Sequence, residues 1–338
     1  MSDMSYMQRF RPSRHGHDSR EPKEIALVIY PGFQILSLSV STVFELANQT
    51  AGYEAYRVTL YSVSGGLVRS SLGFSVQTDR LPKKMGHVDT IIVAGNTDFM
   101  SAEQTLVKFL RVNAVAARRV AGTCTAARFL AEAGLLNGRR ATTHWFYAEE
   151  FRRLHPEVTV EEDRIFIEDG PFWTSAGMTA GIDLAIALVE KDLGSEIARL
   201  VAKGMVVYHR RAGGQSQHSV LLELSPKSDR IQKALTFAKV NLRKILSVDQ
   251  FAEAASLSLR QFNRLFRKET GSSPAQALER LRAEAARLMM ESGSHSMDEI
   301  AQETGFGHRE RMRRAFLRVF GQSPLAMRRI TRAQVVSI

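Results

Sequence analysis

Residues 247–274 read SVDQFAEAASLSLRQFNRLFRKETGSSP, and residues 296–324 repeat this pattern as SMDEIAQETGFGHRERMRRAFLRVFGQSP. Equivalent residues lie 49 positions apart near the start, at Ala252 and Ala301, and 50 positions apart further along. The second copy therefore holds one extra residue, in its turn or at the start of the helix that follows. A repeat of this length predicts two copies of one supersecondary unit.

Each copy has the plan of a helix, a turn and a second helix. Ser247 and Ser296 are predicted N-caps, with Gln250 and Glu299 three positions later as capping-box partners. In the second helix, apolar residues recur about one helical turn apart, which predicts one buried and one basic face. This plan indicates a helix-turn-helix, whose second helix enters the major groove of DNA. A generic helical bundle with basic surfaces is the alternative. The apolar positions are Phe262, Leu265 and Phe266 in the first copy and Met312, Ala315 and Phe316 in the second.

The positive charge of the chain is concentrated in the same region. The 338 residues include 46 Lys and Arg and 35 Asp and Glu, a net charge of +11. Residues 226–338 hold 21 basic and 11 acidic residues, whereas residues 1–225 hold 25 and 24. A basic module joined to a nearly neutral one is typical of a protein that binds a polyanion such as DNA. A solvated basic helical surface has the same charge and stays open as the alternative.

The repeats resemble the AraC-type DNA-binding domain, most clearly in RLFRKETGSSP at 264–274 and RAFLRVFGQSP at 314–324. The resemblance covers residues 231–331 and implies two recognition helices in successive major-groove segments, joined by a long helix at 275–292. Met312 stands where the family usually has an aromatic residue, which is an apolar replacement. Arg bonds guanine bidentately, Asn suits adenine and Glu accepts from cytosine. The base contacts implied by the resemblance are Arg260, Asn263 and Arg264 in the first motif and Arg309, Glu310, Arg313 and Arg314 in the second, and the phosphate contacts are Arg267, Lys268 and Arg318.

Strand and helix patterns alternate in the first two thirds of the chain. The apolar runs at 24–33 and 88–96 and the shorter VAGTC at 120–124 predict buried strands. Amphipathic helical patterns separate them, RATTHW at 140–145 starts a further strand, and the segment at 164–177 predicts a hairpin. This order predicts an α/β fold with a parallel sheet and helices on both faces.

The single cysteine, Cys124, lies where a predicted strand passes into a helix, within GTCTA at 122–126. Small neighbours at such a bend are typical of a nucleophile elbow, and a helix N-terminus favours a thiolate. If His144 comes close, the two residues form a Cys–His pair for nucleophilic chemistry. A lone cysteine is more often a small buried apolar residue, and a lone strand histidine is more often structural. Both interpretations stay open at this point.

Residues 23–220 resemble the PfpI-like, class I glutamine amidotransferase-like fold, notably in IALVIYPGFQILSL, GTCTAARFLAEAGLLNGRRATTHW and FWTSAGMTAGIDLAIALVE. This fold joined to an AraC-type domain is the layout of the GlxA-like transcription regulators. Thr125 stands where the PfpI-like hydrolases have a histidine, and Ala126 stands where they have the second elbow glycine. Residues 33–39 hold no carboxylate, although related enzymes place an acid there. The resemblance therefore implies a pocket that binds a small effector and no catalytic residues. The expected lining residues are Phe33, Asn96, Thr97, Cys124, Thr125, His144, Trp145 and Gly177.

We therefore predict a flavodoxin-like (PfpI-like) parallel-sheet sandwich followed by an all-α domain with two helix-turn-helix motifs. The predicted parts are a disordered basic arm (1–22), a domain for ligand sensing and dimerisation (23–208), a linker (209–230), a DNA-binding domain (231–331) and a tail (332–338).

The predicted function is sequence-specific regulation of transcription, as an activator, and no enzymatic activity. The expected partners are promoter DNA, a small-molecule effector, a second copy of the chain and RNA polymerase. A PfpI-class cysteine hydrolase or amidase with a DNA-binding tail is an alternative, as is a regulator in which Cys124 senses redox state. No phosphate-binding glycine loop or metal-ligand spacing is present, so no cofactor or metal is expected. One cysteine and no long apolar run predict a cytoplasmic, nucleoid-associated protein without a membrane partner.

Overall fold

The computed structural model describes most of the chain as two compact units, Met1–Gln217 and His218–Ile338. Of the expected arm and tail, residues 1–20 and 332–338 lie outside the described residues, as does Thr97. The described residues are 21–96, 103–177, 179–207, 211, 213, 217, 224, 226–244, 247–291 and 295–328.

A mostly parallel sheet forms the centre of the first unit. Its strands and two shorter ones are β1 Lys23–Val28, β2 Tyr56–Ser62, β3 Gly66–Arg69, β4 Ser75–Arg80, β5 Thr90–Val93, β6 Arg119–Thr123, β7 Arg140–Ala141, β8 Thr159–Val160, β9 Phe166–Asp169 and β10 Phe172–Ser175. Eight strands pair in the order β3-β4-β2-β1-β5-β6-β10-β9. All neighbours from β4 to β10 are parallel, whereas the edge strands β3 and β9 are antiparallel to theirs. The parallel α/β sheet and the β9–β10 hairpin predicted from the sequence are confirmed.

Helices cover both faces of this sheet. They are α1 Ser39–Ala51, α2 Gln104–Asn113, α3 Ala127–Glu132, α4 Ala148–Leu154, α5 Ala180–Leu193 and α6 Ser195–Gly204. In β1, Ala26 and Val28 belong to the core shared with α2 and α3, whereas Ile25 and Leu27 belong to the core shared with α1 and α5. Burial on both faces explains why β1 is a continuous apolar run. In the part of the chain that the structure describes, no helix is long and apolar enough to cross a membrane.

Two segments of the first unit differ from the sequence interpretation. The strand predicted to start at 140–145 is wrong in extent, because β7 has only two residues and pairs with β8 outside the main sheet. The amide of Thr142 donates to Thr174 Oγ1, and a 3-10 turn, Trp145–Tyr147, follows at once. Residues 66–80, to which the sequence interpretation gave no strand, form the β3–β4 hairpin.

The second unit is helical among its described residues. Its helices are α7 Asp229–Val240, α8 Val248–Ala254, α9 Leu259–Thr270, α10 Pro274–Glu291, α11 Met297–Glu303 and α12 Arg309–Phe320. Phe251, Phe262 and Phe266 form one core with the first half of α10, and Met312 and Phe316 form another with its second half. The long helix therefore joins two small helix-turn-helix cores, as the sequence predicted.

The turns explain the unequal spacing of the two repeats. The helices α8 and α11 have seven residues each, and α9 and α12 have twelve each. The extra residue lies in the second turn at Gly307, whose φ of +75° favours glycine. The predicted capping boxes are present at Ser247 with Gln250 and at Ser296 with Glu299.

Candidate functional site

The exposed face of α9 is basic. Its buried face consists of Phe262 and Phe266, both fully buried, with Leu265 half-buried. The Asn263 carboxamide donates to the Leu259 carbonyl at 3.0 Å. Among the described residues, the four cations of this face form no ion pair. The exposed residues that the sequence predicted for DNA contact are Arg260, Asn263, Arg264, Arg267 and Lys268.

The exposed face of α12 is equally basic, but four of its five arginines pair with carboxylates, and among the described residues only Arg311 forms no ion pair. Glu310 receives two hydrogen bonds from Arg313, at 2.8 and 2.9 Å, and one from Arg314 Nε at 3.1 Å. These bonds lower the pKa of Glu310 to about 2, so the carboxylate is charged at neutral pH. Arg309 pairs with Asp298 at 2.5 Å. Arg318 pairs bidentately with Glu279 at 2.6 and 2.9 Å.

In the first unit, Cys124 forms the elbow predicted from the sequence. It follows β6 directly, has a φ of +56° and is 4% exposed. Non-glycine residues rarely adopt this conformation, so the surrounding contacts must hold it. A Cβ on Gly95 would lie 2.6 Å from Cys124 Cβ. Only glycine therefore allows the neighbouring strand end to approach the elbow so closely.

Hydrogen bonds tie the elbow to the end of β5. The Thr125 hydroxyl donates to Asn96 Oδ1 at 2.8 Å and accepts from the Asn96 amide at 3.0 Å. Asn96 also pairs with Phe33 in an isolated β-bridge, so the structure brings Phe33, Asn96, Cys124 and Thr125 together. Ser37, within the segment where related enzymes place an acid, donates to the Gly95 carbonyl at 3.2 Å. This segment therefore presents a hydroxyl at the elbow in place of a carboxylate.

Tyr30 lies against the elbow and was missed by the sequence interpretation. Its ring packs on Phe129 with centroids 4.8 Å apart. Burial raises the pKa of the Tyr30 phenol, a hydrogen bond with Thr125 opposes the rise, and Cys124 adds to it. The phenol is therefore neutral, and it is hydrogen-bonded to Thr125, the residue after Cys124.

The segment 143–145 also contacts the elbow. Thr143 Oγ1 donates to the Cys124 carbonyl at 2.9 Å. His144 Nδ1 accepts from the Phe146 amide, and a Cβ on Gly177 would meet His144 Cδ2 at 2.1 Å. Trp145 is 49% exposed. His144, Trp145 and Gly177 are thus neighbours in one group, and Thr143 links that group to Cys124.

Two residues within the linker predicted at 209–230 bind back onto the first unit, which ends at Gln217. Arg211 pairs with the buried Asp183 at 2.7 Å and donates to Thr179 Oγ1 at 2.7 Å. The Gln217 carboxamide nitrogen donates to the Thr143 carbonyl at 2.7 Å. Its oxygen accepts from the Trp145 amide at 2.9 Å. Asp183 in the apolar stretch of α5 signalled one of these contacts, because a buried carboxylate needs a partner.

Cavities also occur away from the elbow. One of about 280 Å³ is bordered by Lys23, Tyr53 and Asp192, and one of about 500 Å³ is bordered by Ile25 and other residues of β1 and β2. Neither is lined by the predicted effector residues. Among the described residues, no group of three or more His, Cys, Asp or Glu side chains is placed to hold a metal ion.

Comparisons with known proteins match both units. Residues 23–191 match the DJ-1/PfpI family, and residues 251–330 match the family described as a helix-turn-helix domain. The chain is 29% identical to the HTH-type transcriptional regulator GbdR of Pseudomonas aeruginosa, over 90% of this chain and 84% of that one. It is 27% identical to the HTH-type transcriptional regulator GlxA of Rhizobium meliloti, over 92% of this chain and 97% of that one. The GlxA-like layout expected from the sequence is thereby confirmed.

A shorter stretch is similar to an enzyme. Over 137 residues the chain is 38% identical to the isonitrile hydratase of Pseudomonas putida. The aligned stretch covers 40% of this chain and 58% of the enzyme. The crystal structure of an AraC family transcriptional regulator from Pseudomonas putida aligns with 54% of this chain and 100% of its own. Its TM-score of 0.50 at 21% identity shows that the fold is shared.

Proposed function

This chain belongs to the DJ-1/PfpI family and carries an AraC-type helix-turn-helix domain, and from this premise we propose that it is a sequence-specific regulator of transcription. One observation carries the proposal, namely the two motifs in the second unit. Their helices match in length, and each second helix buries apolar side chains while it exposes arginines. Such a helix fits the major groove, where Arg, Asn and Glu distinguish base pairs.

The roles proposed for individual side chains follow from their positions. Arg260, Asn263 and Arg264 lie on the exposed face of α9, one helical turn apart, and contact bases. In α12 the proposed base contacts are Arg309, Glu310, Arg313 and Arg314. Arg267, Lys268 and Arg318 lie toward the C-terminal ends of the helices and contact phosphates.

We propose that the elbow binds a small effector without catalysing a reaction of it. The groups around Cys124 are hydroxyls, amides and carbonyls from Ser37, Asn96, Thr125 and Thr143. These groups donate and accept hydrogen bonds, and ligands lie at the carboxyl ends of strands in open α/β sheets. The effector shifts the protein between two states by its different affinity for them.

Dimerisation and activation are part of the same proposal, and both come from the similarity to the GlxA-like regulators. We propose that the first unit pairs with a second copy, and that the DNA-bound protein recruits RNA polymerase. A transcription assay with a selected promoter tests activation, because a repressor lowers transcript yield and an activator raises it.

A second candidate function is cysteine-dependent hydration or hydrolysis. The strained φ at Cys124 and the similarity to an isonitrile hydratase favour it. The lack of a carboxylate in 33–39 disfavours it, because a nucleophilic thiol needs an activating partner. Redox sensing has less support, since Cys124 is 4% exposed and sensor thiols need access to oxidant.

The experiment that tests the main proposal is selection of genomic DNA fragments by the purified full chain at about 0.15 M salt, followed by footprinting. We expect a few promoters with paired protections about 10–10.5 bp apart, one helical turn of DNA. Uniform, salt-sensitive binding to every fragment, with and without cell extract as a source of effector, would contradict the proposal. Turnover of isonitriles or amides that is lost in Cys124→Ala would favour the second candidate.

A further inference from the structure

The two recognition helices hold their cations in different ways. The exposed Arg260, Arg264, Arg267 and Lys268 of α9 form no ion pair within the described residues. In α12, by contrast, one carboxylate, Glu310, forms ion pairs with both Arg313 and Arg314. Glu310 lies three residues before Arg313 and four before Arg314, so helical spacing alone brings the three side chains together.

This difference matters because the DNA backbone offers only acceptors. A free cation that reaches a phosphate releases counterions and gains affinity on any sequence. An arginine bound to Glu310 must first give up its carboxylate, and Glu310 is then left without a partner beside a negatively charged backbone. Non-specific binding through Arg313 and Arg314 is therefore penalised.

Base edges satisfy both partners at once. Guanine presents O6 and N7 to an arginine, and cytosine presents its N4 amino group to a carboxylate. At a G·C pair, one arginine of the cluster bonds guanine while Glu310 accepts from cytosine or keeps the other arginine in place. The same arginines thus gain affinity at a matching base pair and lose it on the backbone.

We propose that Glu310 is a specificity-determining residue, and that because of it the two motifs contribute differently to DNA binding. The free cations of α9 supply salt-dependent affinity, whereas α12 supplies base discrimination. This inference rests on the proposed DNA-binding function and deepens it.

The test compares Glu310→Gln with Glu279→Gln in the full chain. Both changes remove one negative charge from the same unit. Glu310→Gln frees Arg313 and Arg314 of α12, whereas Glu279 lies on α10 and its replacement frees only Arg318. Each variant is titrated with the best fragment selected by the wild type, with its single-base substitutions, and with a shuffled duplex of equal composition. Thermal unfolding checks that both variants keep their fold.

We expect Glu310→Gln to lower the ratio of specific to non-specific affinity by about tenfold, with the loss confined to one or two adjacent base pairs. Its binding to the shuffled duplex should tighten, and the slope of log K against log salt should steepen by about one. Glu279→Gln should tighten binding to both duplexes and leave their ratio unchanged.

Equal ratios for the wild type and Glu310→Gln would overturn the inference, while a preferred sequence for the wild type would leave the proposed function standing. A ratio that falls equally in Glu279→Gln would also overturn it, because the effect would then come from net charge. If the wild type itself prefers no sequence, the proposed function fails first.

Discussion

Replacing Arg211 by alanine should destabilise the first unit, because it removes an arginine that pairs with a buried carboxylate. Arg211 Nη2 lies 2.7 Å from Asp183 Oδ2, and the Asp183 side chain is only 4% exposed. Removal of one member of a buried pair costs roughly 3–5 kcal/mol. Here the amide of residue 211 still donates to Asp183 Oδ1 at 3.0 Å, and the Arg211 side chain is 30% exposed. We therefore expect a smaller loss, of about 2 kcal/mol.

Thermal unfolding of the full chain measures this loss. For a unit of this size, about 2 kcal/mol corresponds to a fall of roughly 4–8 °C in the transition of the first unit. Arg199→Ala is the matched control, because Arg199 is exposed on α6 and forms no ion pair among the described residues. It should leave the transition unchanged. If the two variants melt alike, Arg211 does not fix the chain to α5, and the argument from the buried carboxylate is wrong.

Further predictions concern both units. Lys268→Ala should weaken binding to every DNA sequence alike and lower the salt slope by about one, as titrations at several salt concentrations would show. Cys124→Ala should leave promoter activation intact in a reporter assay, and its complete loss in a folded variant would contradict a purely binding elbow. Gly305→Ala should cost about 3 kcal/mol or more, seen by circular dichroism, because φ is +74° and the new Cβ would lie 2.0 Å from a carbonyl oxygen. Burial opposes the charge of Asp89, yet hydrogen bonds from Arg118 hold its pKa below the usual range. The stabilisation that the charged Asp89 gives to the folded state should therefore be complete above about pH 4 and lost at lower pH. The free energy of unfolding of Asp89→Asn in urea should accordingly fall less steeply in acid than that of the wild type.

The second unit was the more predictable from sequence because its signals are local. Capping boxes, apolar spacing and paired glycines lie within single helices and turns, and the repeat counts each signal twice. The sequence left open whether the extra residue lies in the turn or at the start of the second helix. The structure places it in the turn, where Gly307 adopts a left-handed conformation that glycine permits but does not require. The ion pairs of Glu310 with Arg313 and Arg314 follow from helical spacing. The role proposed for Glu310 depends on the contrast with the unpaired cations of α9.

The first unit was predictable in its sheet and less so in its site. Strands buried on both faces give continuous apolar runs, whereas the β3–β4 hairpin has exposed residues such as Leu67 and Phe74 and no such run. The partners of Asp183 and Thr143 lie 28 and 74 positions away at Arg211 and Gln217. No local pattern marks contacts of that range, so only the fold shows them.

These long-range contacts bear on how an effector at the elbow would act. The Thr143 hydroxyl donates to the Cys124 carbonyl, and the Thr143 carbonyl accepts from the Gln217 carboxamide nitrogen. The Gln217 carboxamide oxygen accepts from the Trp145 amide. The elbow and the last residue of the first unit therefore share the segment 143–145. A ligand that moves this segment must break or lengthen the bonds of Gln217, each worth about 0.5–1.5 kcal/mol net. Allosteric coupling typically amounts to about 1–3 kcal/mol. Two such bonds therefore suffice to make the hold on Gln217 depend on occupancy of the elbow.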